Sequence, residues 1–144
     1  IENSQRVDKI FDAMDYFLGV VGFVTLALGA IGIVNIMLVS VAERTREIGL
    51  RKALGATYRN ILTQFFIEGA FLTMFSGGIG LLISTIFVTA LAQLPAPQGF
   101  DTPRIVPTSA VAAILSLAIA GIVAGIYPAR KAALLAPVEA MRQE

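Results

Sequence analysis

Two side chains stand where chemistry is costly. Glu68 and Asn35 are each set in a long apolar run of this 144-residue chain. A carboxylate inside a membrane-length segment is a functional candidate by default. Glu68 also has a plainer role open to it. It lies about two turns into its segment and can pair with Arg59, Arg130 or Lys131 near an interface. Asn35 offers a single amide, which suits a helix–helix hydrogen bond better than a transport site. The rest of the chemical inventory is thin. There is no cysteine and no histidine, so disulfides and the commonest general base and metal ligand are absent. No Walker-type phosphate loop, paired intramembrane carboxylates, metal-ligand spacing, Ser–His pair or intramembrane Ser–Lys pair occurs. The expectation is that this chain is not an enzyme, has no catalytic or metal residue and holds no cofactor.

The densest polar stretch is residues 43–60, ERTREIGLRKALGATYRN. Arg44 to Leu54 contains good helix formers, and Gly55 can cap their C-terminus. Glu43–Arg46 and Glu47–Arg51 place opposite charges at helical spacing. Gly49, Ala53 and Ala56 make a small-residue face, and Leu50 and Leu54 a modest apolar one. Two readings fit: a short helix lying along the membrane surface, or a solvated or lipid-facing basic loop.

The elements that position these residues follow from charge. Charged residues make up 15% of the chain and hydrophobic ones 56%, where a soluble domain carries about 25% charged. No charge occurs from Tyr16 to Ala42, between Glu68 and Asp101, or between Arg104 and Arg130. Each gap exceeds the roughly 20 residues a helix needs to cross the hydrocarbon core. Backbone groups in lipid must be paired within the segment, and none of the three alternates with period two, so the spans are helices. The expected layout is a stalk at 1–15, spans at 16–42, 61–93 and 108–127, the 43–60 connection, an outer loop at 94–107 rich in proline, and a tail at 128–144. Eight of the 11 Lys and Arg lie in the connection and the tail. Basic residues in short loops prefer the cytoplasm, so the N-terminal end is expected outside and the C-terminus inside. Residues 1–15 are polar and mixed in charge, unlike a signal peptide. The chain is therefore expected to be part of a longer protein with at least one transmembrane helix upstream.

Val7, Ile10, Phe11 and Met14 repeat at helical spacing and give the stalk an amphipathic face that runs into the first span. Within that span Gly22, Thr25, Gly29 and Gly32 form a stripe of small residues that lets a second helix approach closely, either inside one subunit or at a seam between subunits. Gly69, Thr73, Gly77, Gly80 and Ser84 repeat the pattern in the second span, and Gly121 and Gly125 in the third. Gly77-Gly78 can permit a bend. Pro128 follows the third span, Arg130 and Lys131 anchor it at the inner interface, and Pro137 opens a short terminal helix.

Three blocks carry a family resemblance. ERTREIGLRKALGA from Glu43 closely resembles the cytoplasmic loop of the FtsX-like permease family, its MacB-type branch in particular. Glu68-Gly69 followed by SGGIG resembles the second block. Tyr127-Pro128-Ala129-Arg130-Lys131-Ala132-Ala133, followed by Pro137 to Arg142, resembles the C-terminal block. The resemblance implies helices two to four of a four-helix subunit that works as a dimer, with a large extracytoplasmic domain between the first two helices. The fold class implied is an all-α membrane protein with three transmembrane helices, an N-terminal amphipathic stalk and a short cytoplasmic coupling helix. It implies an ABC ATPase domain or subunit that holds the ATP and is contacted by Arg44, Arg46, Glu47, Ile48, Gly49, Arg51 and Leu54. Val7, Ile10, Phe11 and Met14 would form the stalk seam. The implied function is efflux by mechanotransmission at the bacterial inner membrane, with a periplasmic adaptor and an outer-membrane channel as further partners and no nucleic acid. The alternative is an FtsX-like regulatory transmitter controlling an extracytoplasmic hydrolase, or a lipoprotein-release permease.

Overall fold

The computed structural model describes residues 2–95 and 102–136 together with Val138 and Arg142. The described residues form four helices and no strand: α1 (Glu2–Glu43), α2 (Thr45–Ala53), α3 (Tyr58–Ala92) and α4 (Pro107–Ala133). Three of them, α1, α3 and α4, are long and apolar enough to cross a membrane. The expected terminal helix from Pro137 and residues 96–101 of the proline-rich loop lie outside the described residues, Val138 and Arg142 apart.

α1 is one unbroken helix of 42 residues, about 63 Å long at 1.5 Å per residue. That is about twice the thickness of a hydrocarbon core, so the helix extends well beyond one. α3 runs through Gly77-Gly78 without interruption. α4 begins with Pro107 in its first turn, where a missing N–H is harmless. It then continues through Pro128 to Ala133, past the expected end of the span at 127. A proline inside a helix forfeits one backbone hydrogen bond. Here Pro128 is fully buried, and the helix resumes beyond it in a run of small residues, Ala129, Ala132 and Ala133, that are buried too.

The core sits at one end of the bundle. Met37 and Val41 of α1, Ile48 of α2, Ile61 and Phe65 of α3, and Ala129, Ala132 and Ala133 of α4 form one buried cluster. From this end α3 and α4 are joined along a seam of small residues. A Cβ built on Gly69 would lie 3.5 Å from Gly125 Cα and 3.7 Å from Met37 Cε, and one on Gly121 would meet Thr73 Cγ2 at 2.6 Å. Gly77 faces Leu117 so closely that no Cβ fits without moving that side chain. The small-residue patterns of α3 and α4 are thus used inside the chain as far as Gly77. Gly22, Gly29 and Gly32 of α1 face open space, as do Gly78 and Gly80.

Candidate functional site

α1 and α2 are separated by Arg44 alone. Its N–H still donates to Ser40 O at 3.1 Å, and its carbonyl accepts from Ile48 N at 3.0 Å. The turn needs neither Gly nor Pro because Thr45 supplies an alternative partner for the last carbonyls of α1. Its buried hydroxyl donates to Val41 O at 3.0 Å and to Ala42 O at 2.8 Å, the kind of side-chain back-bonding that bends helices. At the other end Gly55 takes φ +104°. Gly55 N donates to Lys52 O and Ala56 N to Arg51 O, a Schellman closure that requires the left-handed conformation at Gly55. Thr57 then caps α3, its hydroxyl accepting from Asn60 N at 3.3 Å, and the chain turns back into the bundle. α2 is therefore a defined helix of nine residues between two sharp turns.

Each face of α2 has its own surroundings. Thr45, Ile48 and Gly49 are buried, and Ile48 belongs to the shared core. Lys52 continues this face at i+7 from Thr45 and reaches the end of α4. Its ammonium donates to Ala133 O and, at 2.6 Å, to Leu135 O. These carbonyls lie where α4 runs out of intrahelical donors. A cation there also complements the helix dipole, an effect of about 0.3–1 kcal/mol.

A second face meets α3. Arg44 Nη1 donates to Glu68 Oε1 at 3.1 Å and to Oε2 at 3.3 Å. Arg51 donates to Gln64 Oε1 at 2.7 Å and also pairs with Glu47. Gln64 and Glu68 are one turn apart on α3, so two arginines seven residues apart meet two acceptors four residues apart. Glu68 does form an ion pair, but with Arg44 and not with Arg59, Arg130 or Lys131. Those three are exposed and make no ion pair among the described residues.

The third face is open. Arg46 has no ion-pair partner among the described residues, Leu50 is 53% exposed and Leu54 81%. Of the seven residues expected to contact an ATPase, Ile48 and Gly49 have turned into the bundle, and Arg44, Glu47 and Arg51 are engaged within the chain. Arg46 and Leu54 stay free. Sequence reading passed over Lys52 and Gln64. A helical wheel holds the signal, since Lys52 shares a face with Thr45, Ile48 and Gly49 at i, i+3, i+4 and i+7.

The other expected residues lie along α1. Val7, Ile10, Phe11 and Met14 are about half exposed. With Gly22, Thr25, Gly29, Gly32 and Ile36 they follow a nearly straight line down the helix, to one side of the face carrying Met37 and Val41. Asn35 is exposed and lines a shallow groove with Ile36, Val39, Ser40 and Glu43. Its side chain makes no hydrogen bond among the described residues.

A model of the FtsX-like permease C-terminal family matches residues 19–137. This chain belongs to the FtsX-like permease family. Among its relatives is an uncharacterized ABC transporter permease, YknZ, of Bacillus subtilis strain 168, 40% identical over 99% of this chain and 35% of the relative. The macrolide export ATP-binding/permease protein MacB of Chlorobium luteolum is 50% identical over 99% of this chain and 21% of its own length. MacB of Escherichia coli K12 is 40% identical over 97% and 21%. This FtsX-like permease chain thus spans between about a fifth and a third of the length of these relatives. The match includes α2, both of its turns and the α3–α4 seam.

Proposed function

We propose that this chain is the membrane permease region of a MacB-like ABC efflux transporter and passes ATP-driven motion from a cytoplasmic ATPase to the outer side of the bacterial inner membrane. The observation that carries this is the division of α2. Two faces are fixed to all three spanning helices, and the third, with Arg46, Leu50 and Leu54, is free. An element built this way can take a push from outside the bundle and spread it across the bundle. α1 supplies the route outward, since it leaves the α2 end and continues unbroken to Glu2. The distribution of Lys and Arg supports a cytoplasmic α2 and an outer start of α1. ATP, in this reading, is bound and hydrolysed by the partner and not by this chain.

A second permease copy along the open stripe of α1 belongs to the same proposal. Val7, Phe11 and Met14 give that copy an apolar contact beyond the bilayer, and Gly22, Gly29 and Gly32 allow close approach within it. Export is the activity that the MacB names give. The lack of a polar lining in the spans favours mechanical work outside the membrane over passage between these helices. Charge reversal at Arg46 tests the central step. In the full transporter Arg46→Glu is expected to assemble normally, since Arg46 makes no ion pair among the described residues, but to lose coupling between ATP hydrolysis and export. Wild-type export by that variant would remove α2 from the motor interface.

A further inference from the structure

We propose that Lys52 is a positioning residue that locks α2 to the C-terminal end of α4, so that the two move as one body. The tie to α1 is covalent and short, through Arg44 and the Thr45 hydroxyl. The tie to α3 is made by Arg44 and Arg51. Among the described residues, the hydrogen bonds between α2 and the end of α4 come from Lys52 alone. They span 81 and 83 residues of sequence. The apolar cluster that Ile48 shares with the alanines of α4 resists separation but not sliding, because alanine surfaces offer no directional grip. An ammonium held between two carbonyls supplies that direction. Without it, α2 can slide over the end of α4 while keeping its contacts with α1 and α3.

The transmission role rests on the reading of α2 as the motor-facing helix; the lock itself does not. The test uses the full transporter with its ATPase and with other cysteines replaced, this chain having none. Spin labels go on Ala53→Cys of α2 and Leu134→Cys just after α4, both exposed, and pulsed electron resonance measures their separation. The unmodified Lys52 should give one narrow distribution that is the same without nucleotide and with ATP trapped. Lys52→Met should give a broad distribution, with ATP hydrolysis retained and most export per ATP lost. Lys52→Arg, which keeps a donor cation, should recover the narrow distribution. A distribution in Lys52→Met as narrow as with lysine overturns the lock, as does a wild-type separation that shifts with ATP. If the nucleotide-free distances behave as expected but Arg46→Glu leaves export unchanged, the lock stands and the motor-facing reading falls.

Discussion

The two ends of this bundle are built by different rules. At the α2 end all four helices converge on Phe65, Ile61, Met37 and Ile48, which are almost completely buried, and polar side chains lock the periphery. At the far end Phe11, Phe17, Phe23, Ile83 and Phe87 are more than half exposed, and the glycines of α1 touch nothing. Both regions carry large apolar side chains. The difference lies in what covers the apolar surface: the chain itself near α2, and lipid or another protein farther away. In lipid an exposed apolar side chain costs nothing, so hydrophobicity alone cannot say where a membrane protein is packed. Small residues and directional polar contacts can. The packed end has the form of a rigid fitting, and the open end that of a surface awaiting contact.

Core truncation should separate the ends most strongly. Phe65 is 1% exposed and Phe71, farther along the same helix, is 69% exposed. Phe65→Ala is expected to destabilise the protein by about 3 kcal/mol, the low end of the range for such truncations, since lipid can also solvate the lost ring's surroundings. Phe71→Ala should change stability by less than about 0.5 kcal/mol. Thermal unfolding in detergent with a folded-state readout measures both. Equal losses would mean that Phe71 is packed as tightly as Phe65.

Glycine substitution sharpens the same comparison at smaller amplitude. At Gly121 a new Cβ meets Thr73, whose branched side chain has little rotamer freedom and whose hydroxyl is already bonded to Gly69 O at 2.9 Å. Gly121→Ala should cost about 1–3 kcal/mol through overpacking. Gly77→Ala should cost less, because Leu117 can rotate away. Gly29→Ala has room and a helical backbone, so the subunit's own stability should be unchanged or slightly higher. If Gly29→Ala instead weakens association measured by crosslinking in membranes, the α1 stripe is a seam between copies.

Much of this was legible in the residues. The three charge-free runs had to be helices because lipid leaves no other way to pair the backbone. The stop at Gly55 was legible because a left-handed residue favours glycine. The small-residue stripes announced close approach but not to whom, since a glycine stripe has the same composition whether it meets its own chain or another. The partner of Glu68 was not legible. It depends on the turn at Arg44, which no Gly or Pro marks and which Thr45 makes with a side-chain bond. That turn decides which basic residue comes within reach of the carboxylate. The same turn decides which face of α2 is inward, and so why Ile48 is core while Leu50 and Leu54 are not.

The smallest expected effect concerns the rung between Arg44 and Glu68, and it tests whether the α2 end is held by packing or by charge. Both side chains are substantially exposed, at 48% and 36%, and exposed ion pairs contribute about 0–1 kcal/mol. Glu68→Gln keeps the length of the side chain and one acceptor for the guanidinium, so only the charge is removed. Stability should fall by less than about 1 kcal/mol, and the loss should shrink at high salt, where exposed charges are screened. A double-mutant cycle with Arg44→Gln isolates the pair, since residues in direct contact show a coupling that independent sites lack. In the proposed efflux transporter, substrate specificity should be untouched, because Glu68 is paired with Arg44. A large coupling that survives high salt would mean the rung is shielded in the assembled transporter, and would place a second protein over this face of the bundle. A changed substrate profile at normal stability would instead make Glu68 part of the cargo route.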